Sequence, residues 1–235
     1  MYQLSGVTKQ YRRGEGTVDA LAGVDLVVGD GDRLVVQGPA GGGKSTLLQV
    51  LGGLDRPTAG RVELDGTDLA ALPEARLSRV RAESIGFVLR SFGLVPTLSA
   101  EENVETALVP LGLGPAARRE RAADALESVG LAARRRRLPA ELTDGQQRRV
   151  AIARALVKRP KVLLADEPAG DLDPAARDEV MELLDGAWRE HGLTYVLVTD
   201  DRAIARRVPR VVTVREGRLA GPDASLTGTS PSPQY

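Results

Sequence analysis

Cysteine is absent from this chain of 235 residues, and histidine occurs once, as His191. The lack of thiols excludes disulfide bonds and metal sites that are built on thiolates. His191 stands beside Gly192 in a segment that we predict to be a loop. We therefore interpret the single histidine as an ordinary surface residue.

Excess charge of either sign and long apolar runs are also missing. The formal net charge is +0, so no overall field attracts the chain to nucleic acid or to lipid. No apolar run approaches the roughly 20 residues that a bilayer-spanning helix needs, and residues 1–4 do not resemble a signal peptide. The hydrophobic content of 42% suffices for a core. We expect a soluble, cytoplasmic protein with no nucleic-acid partner.

Glycine, in contrast, is concentrated in the most informative segment. A predicted strand at 33–37 precedes this segment and a predicted helix at 45–51 follows it. A glycine-rich turn with a chance Lys-Ser pair is the alternative, but the strand–loop–helix context favours a phosphate site. The segment matches the P-loop pattern G-x-x-x-x-G-K-[ST] and comprises Gly38, Pro39, Ala40, Gly41, Gly42, Gly43, Lys44, Ser45 and Thr46.

Each residue type in the P-loop has a chemical task. Glycines let backbone N–H groups close around phosphate oxygens without interference from a Cβ atom. The helix N-terminus adds the positive end of its dipole. Lys44 can place its ammonium on the β- and γ-phosphates, and the Ser45 hydroxyl can ligate Mg²⁺. The predicted ligands are therefore ATP and Mg²⁺.

Two adjacent carboxylates, Asp166 and Glu167, end an apolar run at 162–165 that we predict to be a strand. In a P-loop protein such a strand delivers an aspartate to the Mg²⁺ shell, which predicts a metal-binding role for Asp166. The next residue, Glu167, can polarise the attacking water as a general base. A strand that merely ends in two acidic residues is the alternative.

Strands and helices alternate along the chain. This order predicts an α/β fold, namely a P-loop NTPase with a largely parallel sheet core, an antiparallel β subdomain and an inserted helical lobe at about 91–158. We expect one ATP-binding domain over 1–226 and a disordered, Ser/Thr/Pro-rich tail over 227–235. The other predicted strands are 2–11, 18–28, 61–64, 85–89, 195–198 and 210–214, and the other predicted helices lie within 99–158 and at 174–190 and 201–207.

A second motif identifies the family that the chain resembles. The residues at the start of a helix that we expect to begin at Gly145 resemble the signature motif of ATP-binding cassette (ABC) ATPases, whose usual core is L-S-G-G-Q. They are Leu142, Thr143, Asp144, Gly145 and Gln146. The segment at 7–21 is similar to the macrolide-exporter and lipoprotein-release subgroup of this family.

The resemblance extends over nearly the whole chain and implies further site residues. Asp173 lies in a segment similar to the D-loop. Arg90 stands at the Q-loop position and Asp200 at the switch-histidine position. Tyr11 lies where an aromatic residue stacks on adenine.

The family also implies a mechanism. Two cassettes form a head-to-tail dimer in which each ATP lies between the P-loop of one copy and the signature motif of the other, and their closure drives a membrane partner. The resemblance implies the ATP-binding subunit of an exporter-like transporter, peripheral on the cytoplasmic face of the membrane. Its partners would be an integral-membrane permease and a second ABC ATPase subunit, either a copy of this chain or a related chain. The alternatives are an ATP-gated regulatory subunit of a non-transporting membrane complex and a soluble cassette acting on nucleic acid or ribosomes.

Three positions that sense the γ-phosphate in the family are altered here. Arg90 replaces glutamine and has no acceptor for the metal shell. Asp200 replaces histidine, and Asp144 replaces glycine, so both put negative charge near a triphosphate. One interpretation is tolerated drift, with Asp144 as a helix N-cap. We favour the other, an ATPase that binds ATP and hydrolyses it weakly, in which Arg90 and Asp200 pair with each other.

The arginine run at 134–137 has two interpretations. It is either a solvated helix end or a contact for anionic lipid headgroups or an acidic partner loop.

Overall fold

Two β-sheets and a helical lobe make up the computed structural model, which describes residues 1–14, 16–170 and 172–220. The first sheet is antiparallel, with strand order β2-β1-β4-β5. Its strands are β1 (Tyr2–Arg13), β2 (Gly16–Val28), β4 (Ala59–Leu64) and β5 (Thr67–Asp68). This sheet is the predicted antiparallel subdomain.

The second sheet has six strands in the order β10-β9-β3-β8-β7-β6, and only β10 runs antiparallel to its neighbour. Its strands are β3 (Arg33–Gln37), β6 (Ile85–Val88), β7 (Val162–Asp166), β8 (Thr194–Val198), β9 (Arg210–Arg215) and β10 (Arg218–Ala220). The largely parallel core is thus confirmed. Because the carboxyl ends of parallel strands meet at one edge, β3, β8, β7 and β6 deliver their following loops to the same place.

Seven α-helices lie within the described ranges. They are α1 (Lys44–Leu51), α2 (Glu74–Ser84), α3 (Ala100–Glu105), α4 (Pro115–Ser128), α5 (Asp144–Leu156), α6 (Pro174–His191) and α7 (Arg202–Ala205). Short 3₁₀ turns occur at Leu69–Ala71, Thr106–Leu111, Ala132–Arg134 and Pro139–Glu141. Within the described parts of the chain, no helix combines the length and the apolarity needed to cross a membrane.

The apolar core has three parts, and β7 shows how two of them are separated. Leu164 packs in a cluster with α1 and the antiparallel sheet, whereas the adjacent Leu163 packs in a cluster with α6 on the opposite face. This alternation is expected for a strand that is covered on both sides. The third cluster lies in the helical lobe and joins Val104 of α3, Leu126 of α4 and Val150 of α5.

Several element ends differ from the sequence-based predictions. Helix α5 begins at Asp144 rather than Gly145, because the Thr143 side chain accepts a hydrogen bond from the Gln146 N–H and is the N-cap. The suggestion that Asp144 is the cap is therefore wrong. His191 is the last residue of α6 and not part of a loop, although its side chain is exposed as expected. Helix α7 is shorter than predicted, since Asp201 caps it from outside.

Helix α2 was not predicted, because only Leu77 of its eleven residues is buried and the sequence shows no apolar periodicity there. The arginine run at 134–137 is exposed, and its last member pairs with Glu141. The predicted tail at 227–235 and the predicted boundary at 226 lie outside the described residues.

Candidate functional site

The P-loop connects β3 to α1, and two of its glycines are required by close backbone contacts. A Cβ atom on Gly38 would lie 2.0 Å from the Val214 carbonyl oxygen, and one on Gly43 would lie 2.3 Å from that of Ala20. Both glycines have positive φ, 147° and 108°. The loop therefore rests directly on the backbone of β9 and β2, a geometry open only to glycine.

A further backbone contact completes the floor of the loop. The Gly217 N–H donates to the Gly42 carbonyl oxygen over 3.0 Å, and the Ala22 N–H donates to the Gly217 carbonyl oxygen over 2.8 Å. No described side chain caps α1. The N–H groups of its first turn are therefore left for an external acceptor such as a phosphate oxygen.

Lys44 is a nearly buried cation with three partners. Its side chain is 10% exposed, and its ammonium lies 2.9 Å from the Asp200 carboxylate. It also donates to the carbonyl oxygens of Gly38 and, over 3.3 Å, Pro39. The lysine thus folds back onto its own loop and onto the residue at the altered switch position.

Ser45 and Asp166 meet beside this lysine. The Ser45 hydroxyl donates to the Asp166 carboxylate over 3.0 Å. Asp166 ends β7, and Ser45 stands in the first turn of α1, so the sheet edge and the helix start bring the two oxygens together. A hydroxyl and a carboxylate are ligands that Mg²⁺ prefers, and two protein ligands leave room for phosphate oxygens. The residues present therefore fit the predicted metal.

Glu167 is held at the same edge in an unusual backbone conformation, with a φ of 48°. One carboxylate oxygen accepts a hydrogen bond from the Thr199 hydroxyl over 2.9 Å, and the other accepts one from the Asp200 N–H over 3.1 Å. A non-glycine residue with positive φ costs roughly 1 kcal/mol or more. The surrounding hydrogen bonds therefore fix where this carboxylate lies.

The sequence analysis did not single out Thr199, although it follows the apolar run of β8 just before Asp200. Thr199 is fully buried. Its N–H donates to the Val36 carbonyl oxygen over 3.2 Å, and its hydroxyl accepts from the Asp201 N–H over 3.1 Å. Thr199 thus links the strand before the P-loop through its backbone, and Glu167 and the start of α7 through its hydroxyl.

Tyr11 lies on β1, and its ring is partly open to solvent. Its side chain is 38% exposed, and its hydroxyl donates to the Asp55 carboxylate over 2.6 Å. The Lys9 ammonium lies 5.0 Å from the ring centroid. Partial burial and the hydrogen bond to Asp55 raise the pKa of the Tyr11 hydroxyl. The phenol is therefore anchored at one end while part of the ring remains accessible.

The signature residues lie on the helical lobe. Thr143 and Gln146 form a reciprocal capping box at the start of α5. Thr143, Asp144, Gly145 and Gln146 line an open pocket together with Asp173, and no P-loop residue lines it. Asp173 also caps α6 by accepting from the Ala176 N–H over 3.0 Å. The structure thus brings the signature and Asp173 together, but not to the P-loop of the same chain.

Arg90 follows β6 and is exposed. Val88 of β6 is paired with Ala165 of β7, so Arg90 lies near the edge that carries Asp166. Within the residues that the structure describes, Arg90 forms no ion pair, and Asp200 pairs with Lys44 instead. The predicted Arg90–Asp200 pair is therefore wrong, because the P-loop lysine is the cation within reach of Asp200.

Two arginines of α5 were missed by the sequence analysis. Arg154 donates to the carbonyl oxygens of Phe92 and Gly93, and Arg148 lies 4.9 Å from the Phe92 ring centroid. Burial lowers the pKa of Arg154. No local pattern distinguishes these two from the chain's many other arginines. They fasten the segment after Arg90 to the helix that begins at the signature motif.

Comparison with known proteins decides the family. A family profile described as ABC transporter matches residues 21–170. The chain belongs to the ABC transporter family. It is thus an ABC-type ATPase with a P-loop NTPase fold, as predicted.

Other members of the ABC transporter family agree with this assignment. The lipoprotein-releasing system ATP-binding protein LolD of Geobacter metallireducens is 44% identical over 222 residues, which cover 93% of this chain and 97% of that protein. The macrolide export ATP-binding/permease protein MacB of Azoarcus sp. is 39% identical over 235 residues, which cover 100% of this chain and 36% of that longer protein. The predicted similarity to the macrolide-exporter and lipoprotein-release subgroup is thus confirmed.

A solved ABC cassette shares the fold. The dimeric structure of a post-hydrolysis state of the ATP-binding cassette MJ0796 bound to ADP and Pi superposes with a TM-score of 0.89 at 38% identity. The match covers 93% of this chain and 96% of that chain. The predicted ABC cassette architecture, with its two sheets and helical lobe, is confirmed.

Proposed function

We propose that this ABC ATPase binds MgATP at the P-loop and couples its binding and hydrolysis to an integral-membrane permease, in an exporter-like transporter. The observation that carries the site assignment is the 3.0 Å contact between Ser45 and Asp166 beside the Lys44 ammonium. It joins a hydroxyl, a carboxylate and a cation at the mouth of a loop whose helix N-terminus is uncapped. These are the groups that a Mg²⁺–triphosphate requires.

The proposed roles follow from this arrangement. Residues 38–46 hold the phosphates, with Lys44 as the charged contact, and Tyr11 stacks on adenine. Ser45 and Asp166 hold Mg²⁺, which neutralises charge on the phosphates when it is bound. Glu167 orients and deprotonates the attacking water.

We propose that a second cassette completes the site. The signature residues and Asp173 lie away from the P-loop of their own chain, so a P-loop and a signature motif meet only between two chains. The dimeric state of the similar cassette supports this arrangement. The partner is a second copy or a related chain, and the functional domain spans 1–226.

The membrane partner is proposed from the relatives. MacB carries both ATP-binding and permease in its name, and this chain corresponds to 36% of it. On the strength of that name, we propose a permease as the membrane partner of this chain. The ATPase would then sit on the cytoplasmic face of the membrane. A regulatory subunit of a non-transporting membrane complex is the alternative.

Weak hydrolysis is part of the proposal. Asp200 and Asp144 are exposed carboxylates at positions proposed to face the γ-phosphate, and Arg90 offers no acceptor to the metal shell. Negative charge placed where charge develops in the transition state raises the barrier.

Calorimetric titration with MgATP tests the site assignment. Lys44→Ala should weaken binding by about 1.5–3 kcal/mol, because it removes a charge-assisted contact. The matched control is Lys161→Ala, which removes an exposed lysine paired with Asp65 and should bind as wild type does. Equal affinities for wild type and Lys44→Ala would contradict the assignment.

The coupling to a permease is tested by turnover. ATP hydrolysis should be slow for the isolated chain and faster after reconstitution with a permease that is encoded beside it. A rate that the permease leaves unchanged would favour the alternative.

A further inference from the structure

Lys44 has no spare hydrogen-bond donor in this structure. A lysine ammonium has three N–H donors. Here the three partners are the carbonyl oxygens of Gly38 and Pro39 and the carboxylate of Asp200. Any phosphate that binds Lys44 must therefore take the place of at least one of these partners.

Asp200 is the only charged group among the three partners, and its position is fixed by its neighbours. Its N–H donates to Glu167, the preceding Thr199 is fully buried, and the following Asp201 caps α7. Its own side chain is 59% exposed, in contrast to the nearly buried Lys44. A rigid turn thus presents an anion to Lys44 from the solvent side, where nucleotide would arrive.

We propose that Asp200 is an affinity-determining residue, an internal anion that competes with the nucleotide phosphates for Lys44. This inference rests on the proposed function, because it takes the P-loop as the nucleotide site. It differs from simple repulsion, in which a carboxylate near the γ-phosphate would disfavour ATP and leave ADP alone. Competition for Lys44 weakens the binding of both nucleotides, since the P-loop lysine contacts the β-phosphate that both carry. AMP has no β-phosphate, so its affinity should not depend on the Asp200 carboxylate.

The experiment compares nucleotide affinities by calorimetry for wild type, Asp200→Ala and Asp200→Asn. We expect Asp200→Ala to bind both MgADP and MgATP about 5- to 10-fold more tightly. The Lys44–Asp200 ion pair has one nearly buried partner, so the strength of this interaction should lie at or above the upper end of the range for surface ion pairs. The gain should shrink at high salt. AMP affinity should not change. Asp124→Asn, which removes an exposed carboxylate of α4, is the control and should match wild type.

A double-mutant cycle separates competition from repulsion. In a Lys44→Ala background, removal of the Asp200 carboxylate should change MgADP affinity by less than about twofold, the scatter of independent sites. An equal gain in both backgrounds would overturn the proposal, because no lysine is left to compete for. If wild type binds MgADP and Asp200→Ala binds it no more tightly, the inference fails while the proposed function stands. If wild type binds neither nucleotide, both fail.

Discussion

The Arg148 guanidinium on the signature helix donates a hydrogen bond to the Gly170 carbonyl oxygen over 2.6 Å. Gly170 closes the turn that starts at Glu167, since its own N–H donates to the Glu167 carbonyl oxygen over 3.1 Å. The same guanidinium lies against the Phe92 ring. Helix α5 therefore touches both the turn that holds the proposed base and the segment that follows Arg90.

Arg148→Lys should destabilise the protein by about 1–3 kcal/mol, because lysine keeps the charge but loses the planar stacking and leaves the Gly170 carbonyl oxygen poorly paired. The measurement is the free energy of unfolding in urea. Arg149→Lys provides the control, since the neighbouring Arg149 forms a more exposed ion pair with Glu179. Equal stabilities for the two variants would show that the Gly170 contact contributes little.

Reversion of the three altered positions should raise the rate of ATP hydrolysis. The change is Arg90→Gln, Asp144→Gly and Asp200→His together. We expect an increase on the order of 10²-fold, the cost usually found for one misplaced charge or donor in the transition state. Phosphate release by the reconstituted complex is the measurement, and adding Glu167→Gln should abolish the gain. Wild-type turnover that already equals the revertant would refute weak hydrolysis.

Reversion of Arg90 alone should leave the folded protein stable. Because Asp200 pairs with Lys44 and not with Arg90, Arg90→Gln alone strands no buried charge. Its folding stability should stay within about 0.5 kcal/mol of wild type, as for other exposed substitutions. Thermal unfolding of the single variant measures this, and a large loss would indicate that Arg90 has an ionic partner after all.

Glu167→Gln with MgATP should produce a dimer, because it blocks hydrolysis and keeps the side-chain shape. Light scattering after size exclusion measures the mass. Adding Asp144→Gly should strengthen the dimer, since it removes a carboxylate of the signature motif from the neighbourhood of the opposing triphosphate. The same double variant with Lys44→Ala should remain monomeric. A strict monomer in the first case, with the permease also present, would argue against the paired cassette.

The lowered pKa of the Lys158 ammonium predicts that the stability of the protein depends on pH. Its ammonium donates to the Arg81 carbonyl oxygen over 2.7 Å, and burial lowers its pKa from 10.5 to about 8. The unfolded chain therefore binds more protons than the folded chain between these two values. The free energy of unfolding should rise with pH across this window by up to about 1.4 kcal/mol per pH unit, and the gain should be lost as the pH falls from 10.5 to about 8.

The variant Lys158→Met isolates this contribution. The difference in unfolding free energy, wild type minus variant, should be flat below pH 7 and should grow between pH 8 and pH 10. Urea titrations at several pH values measure it. A difference that is independent of pH would contradict the lowered pKa.

The parts of the molecule that the sequence predicted depend on local patterns. The apolar run of β3, the glycines of the P-loop and the start of α1 are contiguous, and so are β7 and its two carboxylates. Local patterns could not predict which cation pairs with Asp200. The choice between Lys44 and Arg90 depends on distances between loops that are far apart in sequence. The contacts of Arg148 and Arg154 were missed for the same reason. Helix α2 was missed because its surface is almost wholly polar.

The floor of the P-loop has a consequence for how the protein is made. Gly42 and Gly38 rest on residues 214 and 217, near the last strand described, although the loop itself belongs to the first fifth of the chain. A ribosome releases the N-terminal part first. The growing chain therefore carries an unsupported loop until β9 and β10 have emerged, and the floor of the phosphate site forms only after that point.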